Sequence, residues 1–266
     1  VVQEPGQPPR TLGEVDVVFP LLHGPFGEDG TIQGLLDLAD VRYVGSGVTA
    51  SAAMMDKHVM KVLLASAGLP VGPYVVITDK EWQRDRAAAM DAVHGLSWPV
   101  FVKPARAGSS MGITKVSQPE ELEAAIEAAR EHDPKVVVEA AVVGREIECG
   151  VLEGRGIDAT RTSVVGECIV VQNHDFYDFD AKYLSAADVR LVTPAEVPDA
   201  VSARIREMAA KAFDAAGCVL VNEVNTMPGF TPSSMYPRMW AATGLSYPEL
   251  IDELIALALE RRTGLR

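Results

Sequence analysis

Apolar residues in this chain gather into short, largely unbroken runs separated by stretches with helical spacing. Runs of the first kind read as strands and stretches of the second as helices. Val15-Asp16-Val17-Val18-Phe19 predicts the first strand, an apolar run of the kind buried in a mostly parallel sheet, and it opens into the loop His23-Gly24-Pro25-Phe26-Gly27-Glu28-Asp29-Gly30. Helical spacing follows from Ile32 to Leu38, and Tyr43-Val44-Gly45-Ser46-Gly47 reads as a short strand and turn. One continuous helix is expected over 50–67, closed by Gly68. Beyond Pro70 the pattern predicts strands over 74–77, 98–102, 136–139 and 146–152. Ser117 with Glu120 suggests a capping box ahead of an Ala/Glu-rich helix that ends at Arg130. Val201, Ile205, Met208 and Phe213 mark an amphipathic helix; Pro248 starts a last one carrying Leu250, Ile251, Leu254 and Leu257. The class is α/β, turning to the mixed sheets of α+β lobes toward the C-terminus.

Length adds that 266 residues suffice for roughly two domains. Charge removes two classes of partner. With 37 acidic against 24 basic residues, the net charge of −13 repels a nucleic-acid backbone and an anionic membrane, so neither is expected. The three cysteines (Cys149, Cys168, Cys218) are odd in number and lack CxxC spacing, which argues against a disulfide framework or zinc site and for the cytoplasm. No apolar run is long enough to span a bilayer, and no signal peptide opens the chain. The chain starts without Met in a polar stretch, so an N-terminal piece is expected to be missing.

Four segments carry candidate chemistry. In Phe101-Val102-Lys103-Pro104-Ala105-Arg106-Ala107-Gly108-Ser109-Ser110-Met111-Gly112 a strand delivers a lysine to a small-residue loop whose N–H groups could approach phosphate oxygens. The same residues also fit a flexible surface loop with a solvated lysine. Val136 to Glu146 runs from an apolar strand to one carboxylate, through an apolar hinge, to a second carboxylate. That order suits an adenine edge and ribose hydroxyls, and equally a plain strand–turn–strand. In Val219 to Phe230, Glu223 and Asn225 would share a strand face and offer oxygens to magnesium, or simply line a wet edge. His174-Asp175-Phe176-Tyr177-Asp178-Phe179-Asp180-Ala181-Lys182-Tyr183 reads as a lid bringing in Lys182, or as a structural hairpin with exposed aromatics.

Taken together and in this order, the HG-x-x-GEDG loop, Met55-Asp56-Lys57, VKP-x-R-x-GSS-x-G, FYDF-x-AKY and NE-x-NTMPGFT with Ser234-Met235-Tyr236-Pro237 resemble the D-alanine–D-alanine ligase family of ATP-grasp enzymes. The resemblance runs from His23 onward. It implies an ATP-grasp fold, two α+β lobes with ATP between them. The remainder of an N-terminal Rossmann-like domain (1–47) would precede a central lobe (48–141) and a C-terminal lobe (142–266), with the lid near 172–184. It implies Lys57 and Lys103 on ATP phosphates, Glu139 and Glu146 on adenine and ribose, Val142 in the hinge, and Lys182 on the γ-phosphate. Two magnesium ions, or manganese, would sit on Glu223 and Asn225. Ser109 and Tyr183 would form a hydrogen-bonded pair beside the D-alanines, with His23, Ser234 and Met235 also on substrate. Gly229 would donate its N–H to the oxyanion. The resemblance further implies a bacterial cytoplasmic homodimer that serves peptidoglycan synthesis through an acyl phosphate.

Two family features are absent. The Arg-x-Asp strand and hairpin that precede NE-x-N are replaced by a direct run from Gly217-Cys218 into Val219, and the opening glycine-rich loop with its glutamate is not found. The expectation is of skipped segments rather than a degenerate enzyme. Competing readings are a D-alanine–D-lactate ligase, which Tyr183 disfavours; another ATP-grasp carboxylate–amine ligase, which NTMPGFT disfavours; a nucleotide binder without turnover; and a structural α/β domain.

Overall fold

The computed structural model describes residues 14–108, 111–170, 189–216, 224–231 and 234–262. The expected lid near 172–184, with Lys182 and Tyr183, lies outside them, as do Ser109 and Glu223. Among the described residues, three sheets follow one another along the chain. Strand β1 (Val17–Val18) pairs in parallel with β2 (Arg42–Tyr43), and α1 (Thr31–Leu38) connects them. After α2 (Val48–Met55) and α3 (Lys57–Ser66) comes a four-stranded sheet in the order β3-β6-β4-β5. Its strands are β3 (Tyr74–Ile77), β4 (Val100–Pro104), β5 (Thr114–Val116) and β6 (Val136–Ala140), with every pairing antiparallel. The third sheet, β7 (Glu146–Leu152), β8 (Arg161–Val170) and β9 (Val189–Val192), is antiparallel too.

The first strand does pair in parallel, as its apolar run predicts. The valine run of β6 lies instead in an inner strand of an antiparallel sheet, whose five residues are all buried, Glu139 among them. On one face Val100, Val102, Val136 and Val138 pack against Trp82, Val93, Leu122, Ile126 and Ala129. Those residues come from α4 (Asp79–Arg84), α5 (Arg86–Val93) and α6 (Leu122–Arg130). A second cluster joins Ala50, Met54, Met60 and Leu64 of α2 and α3 to Met208 and Ala212 of α7 (Asp199–Ala216). A third is built by Leu152, Trp240 of α8 (Met235–Thr243), and Leu250 and Leu254 of α9 (Tyr247–Glu260).

Two local expectations need correction. The single helix over 50–67 is two, because Asp56 is extended (φ −85°, ψ 104°) and its carboxylate accepts the N–H groups of His58 and Val59. An aspartate that bonds the backbone just ahead of it starts a helix better than it continues one. The capping glutamate ahead of α6 is Glu121, not Glu120: its Oε2 accepts the Ser117 and Gln118 N–H groups at 3.2 and 3.3 Å.

Candidate active site

Strand pairing decides which side chains share a face. Glu139 on β6 is opposite both Tyr74 on β3 and Phe101 on β4, so these three form a row on the face away from the Val100–Val138 core. Lys103 is two residues beyond Phe101 and shares that face. Its Nζ donates to Glu139 Oε2 at 2.9 Å. Lys61 reaches the other carboxylate oxygen, Oε1, from α3 at 3.3 Å, and its Nζ lies 5.4 Å from the Tyr74 ring centroid. Burial pushes the Glu139 carboxyl up, but Lys103 and Lys61 outweigh it and hold the group below the usual carboxylate range.

Lys57 opens α3. As the first helical residue its N–H has no partner within the helix, and it donates instead to Ala105 O at 2.9 Å. Its Nζ donates to Ala107 O at 2.7 Å, inside the glycine-rich loop. The foot of that loop is fixed by Asp133, which accepts Arg106 Nε and Nη2 at 2.8 and 2.7 Å. Gly112, at the far end, has φ +68°, and a Cβ there would lie 2.4 Å from the His132 ring.

The HG-x-x-GEDG loop earns its glycines and acids by geometry. Gly24 (φ +72°) donates its N–H to Glu28 Oε2. Asp29 ends the loop by accepting Phe26 N–H at 2.8 Å and Thr31 N–H at 3.0 Å. This loop then meets two distant segments. A Cβ on Gly108 would lie 3.3 Å from Gly24 Cα and 3.6 Å from Glu28 Oε2, so the glycine-rich loop rests directly on it. Thr226 Oγ1 donates to Glu28 O at 3.4 Å. The 24–28 loop thus touches both the glycine-rich loop, at Gly108, and the segment that begins at Thr226.

Of the expected site residues, Lys103 and Glu139 are joined on the sheet face, and Lys57 reaches the glycine-rich loop. Val142 is exposed just after β6, and Glu146 is exposed at the start of β7. His23 is exposed beside Gly24. Gly229 and Ser234 approach closely, a Cβ on Gly229 lying 2.8 Å from Ser234 Oγ. The Ser234 hydroxyl also accepts the Thr231 N–H at 3.0 Å. Met235 needs correction as a loop residue: it begins α8, and its side chain is buried with Cys168 and Met239, which leaves only its backbone to face a substrate. Asn225 is not in a described strand, and its Oδ1 accepts Met227 N–H at 3.1 Å. A carbonyl oxygen has a second lone pair, so this exposed amide still suits a hard cation, with Glu223 as the other expected donor.

Lys61 escaped the sequence reading. Its signal was a lysine on the buried stripe Lys57, Met60, Lys61, Leu64 of α3, where a lysine is rarely found unless paired. Burial pushes the Cys149 thiol up to about 11, which favours the thiol over the nucleophilic thiolate at neutral pH.

Two family models match the chain: "D-ala D-ala ligase N-terminus" over residues 2–46 and "D-ala D-ala ligase C-terminus" over 63–256. The chain is 61% identical to the D-alanine–D-alanine ligase of Pseudarthrobacter chlorophenolicus, across 100% of this chain and 74% of that protein. Identity to the same-named protein of Paenarthrobacter aurescens is also 61%, across 100% of this chain and 75% of the relative. Both alignments run over 282 positions, more than the 266 residues of this chain, so these relatives carry residues at internal points where it has none. Among solved structures, VanG D-Ala:D-Ser ligase from Enterococcus faecalis superposes with a TM-score of 0.81 at 39% identity, covering 93% of this chain and 74% of its own. The D-alanine–D-alanine ligase of Coxiella burnetii gives 0.78 at 34% identity, covering 94% and 69%.

Proposed function

Because the chain belongs to the D-alanine–D-alanine ligase family and has its ATP-grasp fold, we propose that it joins two D-alanines at the expense of ATP, through an acyl phosphate, for peptidoglycan precursor synthesis. The observation that carries this reading is the meeting of the Gly24–Glu28 loop, the Lys57-bound glycine-rich loop and the Thr226–Gly229 segment. A strongly acidic chain has to collect cations locally to take a triphosphate; Lys57 reaches the glycine-rich loop, and Lys61 and Lys103 meet on Glu139.

In this reading Lys57 and Lys103 hold phosphates, and Lys182 adds a third ammonium as the lid over 172–184 closes. Glu139 and Glu146 receive adenine and ribose hydrogen bonds, with Val142 lining the hinge. Ser109 and Tyr183 orient the D-alanines. His23, Ser234 and the Met235 backbone hold their polar ends, and the Gly229 N–H faces the oxyanion. Electrostatic positioning of this kind is the main resource for phosphoryl and acyl transfer. Magnesium, or manganese, would be held by Glu223 and Asn225 and would offset phosphate charge. The division into residues 1–47, 48–141 and 142–266, the homodimer and a bacterial cytoplasmic location belong to the same proposal. Among the described residues no helix is long and apolar enough to cross a membrane.

The likeness to a D-Ala:D-Ser ligase makes the second amino acid the point to test. The experiment is phosphate release from magnesium-ATP by the purified protein with D-alanine alone, then with D-serine, D-lactate or L-alanine added. Release that requires D-alanine and yields the dipeptide is expected. Tight ATP binding with no release under any of these conditions would leave a nucleotide binder and sink the ligase reading.

A further inference from the structure

Lys61 has no part in the roles above, yet it is more deeply buried than either neighbour of its charge: its side chain is 2% exposed, against 14% for Lys103 and 9% for Glu139. The helix explains how it gets there. Lys57 and Lys61 are one turn apart on the buried side of α3, so one rigid element sends one ammonium to the glycine-rich loop and the other to the sheet face. Glu139 lies between Lys61 and Lys103, a single carboxylate with an ammonium on each oxygen.

That arrangement raises a problem of charge when a nucleotide arrives. Lys103, the more exposed of the two, is the one the proposed function assigns to phosphate. If Lys103 turned away from Glu139, and Glu139 had no other cation, a buried carboxylate would be left uncompensated; breaking a buried pair in this way is strongly unfavourable. Lys61 removes the problem, because it stays on Oε1 whatever Lys103 does. We propose that Lys61 is a positioning residue that keeps Glu139 ionised and in place, so that Lys103 is free to move from Glu139 to the nucleotide phosphates. This inference rests on the ATP-binding reading of the site.

The test is calorimetric titration of wild-type protein, Lys61→Met and Lys61→Gln with ATP and with adenosine. Adenosine has no phosphate and makes no demand on Lys103. ATP affinity is expected to fall about tenfold or more in both variants, the equivalent of about 1.4 kcal/mol, with adenosine affinity nearly unchanged. Lys61→Arg, which keeps the charge, should recover most of the loss. Introducing Lys61→Met into a Glu139→Gln background should weaken ATP binding little further, since a neutral partner no longer holds Lys103. Equal losses for ATP and adenosine would mean a merely structural role and overturn the proposal, as would unchanged ATP binding in a folded Lys61→Gln protein. Failure of the wild-type protein to bind ATP would instead overturn the functional reading beneath it.

Discussion

The Asp133 carboxylate, 3% exposed, takes four donors at the foot of the glycine-rich loop: Arg106 N–H, Nε and Nη2, and Lys135 N–H. Burial pushes its carboxyl up, and the Arg106 and Lys135 hydrogen bonds more than reverse this, holding it below the usual carboxylate range. A carboxyl lowered on folding contributes stability that is complete above its unfolded value and is lost as pH falls through the folded one. Asp133→Asn should therefore destabilise the protein by about 1–3 kcal/mol at neutral pH, the range for a buried partner left unsatisfied. The difference from wild type should shrink in acid. Urea unfolding at neutral and acid pH measures both, and a difference that does not change with pH would refute the assignment. At this scale the sequence was partly legible. Lys57, Lys103 and Glu139 could be named from their motifs, whereas Lys61 could not, because a lysine on an apolar helical stripe looks like an interruption until its partner on β6 is known. Met235 was misread because its motif neighbours suggested a loop, when Ser234 is in fact the N-cap of a helix.

Helix α3 owes its start to Asp56, and the same carboxylate accepts the Lys135 ammonium from the turn that also holds Asp133. Asp56→Ala removes both. The capping part alone costs about 1 kcal/mol, and up to about 2 in some proteins. Because Lys57 begins that helix, the variant should also bind ATP more weakly than its fall in melting temperature would suggest; thermal unfolding and nucleotide titration on one preparation would show whether the two losses go together. The elements missed in the sequence share a cause. Helices α4 and α5 bury just Trp82 and Val93 fully in the cluster, with Ala89 and Met90 partly covered against it, and so show little apolar period. Strand β8 contains Ser163, Gly166 and Glu167 at buried positions, which broke its apolar run. Glycine at 166 leaves room for the methionines packed on it: a Cβ would lie 2.6 Å from Met235 Sδ, so that side chain would have to shift. The strands β3, β6 and β7 were readable because their runs are continuous or clearly bounded.

Across the whole molecule, the cluster of Met54, Met60 and Leu64 with Met208, Ala212 and Val224 binds the segment before the four-stranded sheet to the helix after the third. Leu64 is fully buried within it. Leu64→Ala should cost about 2–5 kcal/mol, as core truncations do, and should lower the melting of both sheet-bearing regions together. Two separate calorimetric transitions, with only one of them shifted, would show that this cluster does not couple them. Contacts of this kind join residues far apart in the chain: Glu28 and Thr226, which share a hydrogen bond, are 198 residues apart. A chain emerging from the ribosome exposes its N-terminal elements first. A chain halted before Thr226 already carries Gly24, Lys57, Lys103 and Glu139, and with them the glycine-rich loop that rests on the Gly24 turn. It lacks the Thr226 hydroxyl, so the bond to the Glu28 carbonyl forms only once those later residues have been made.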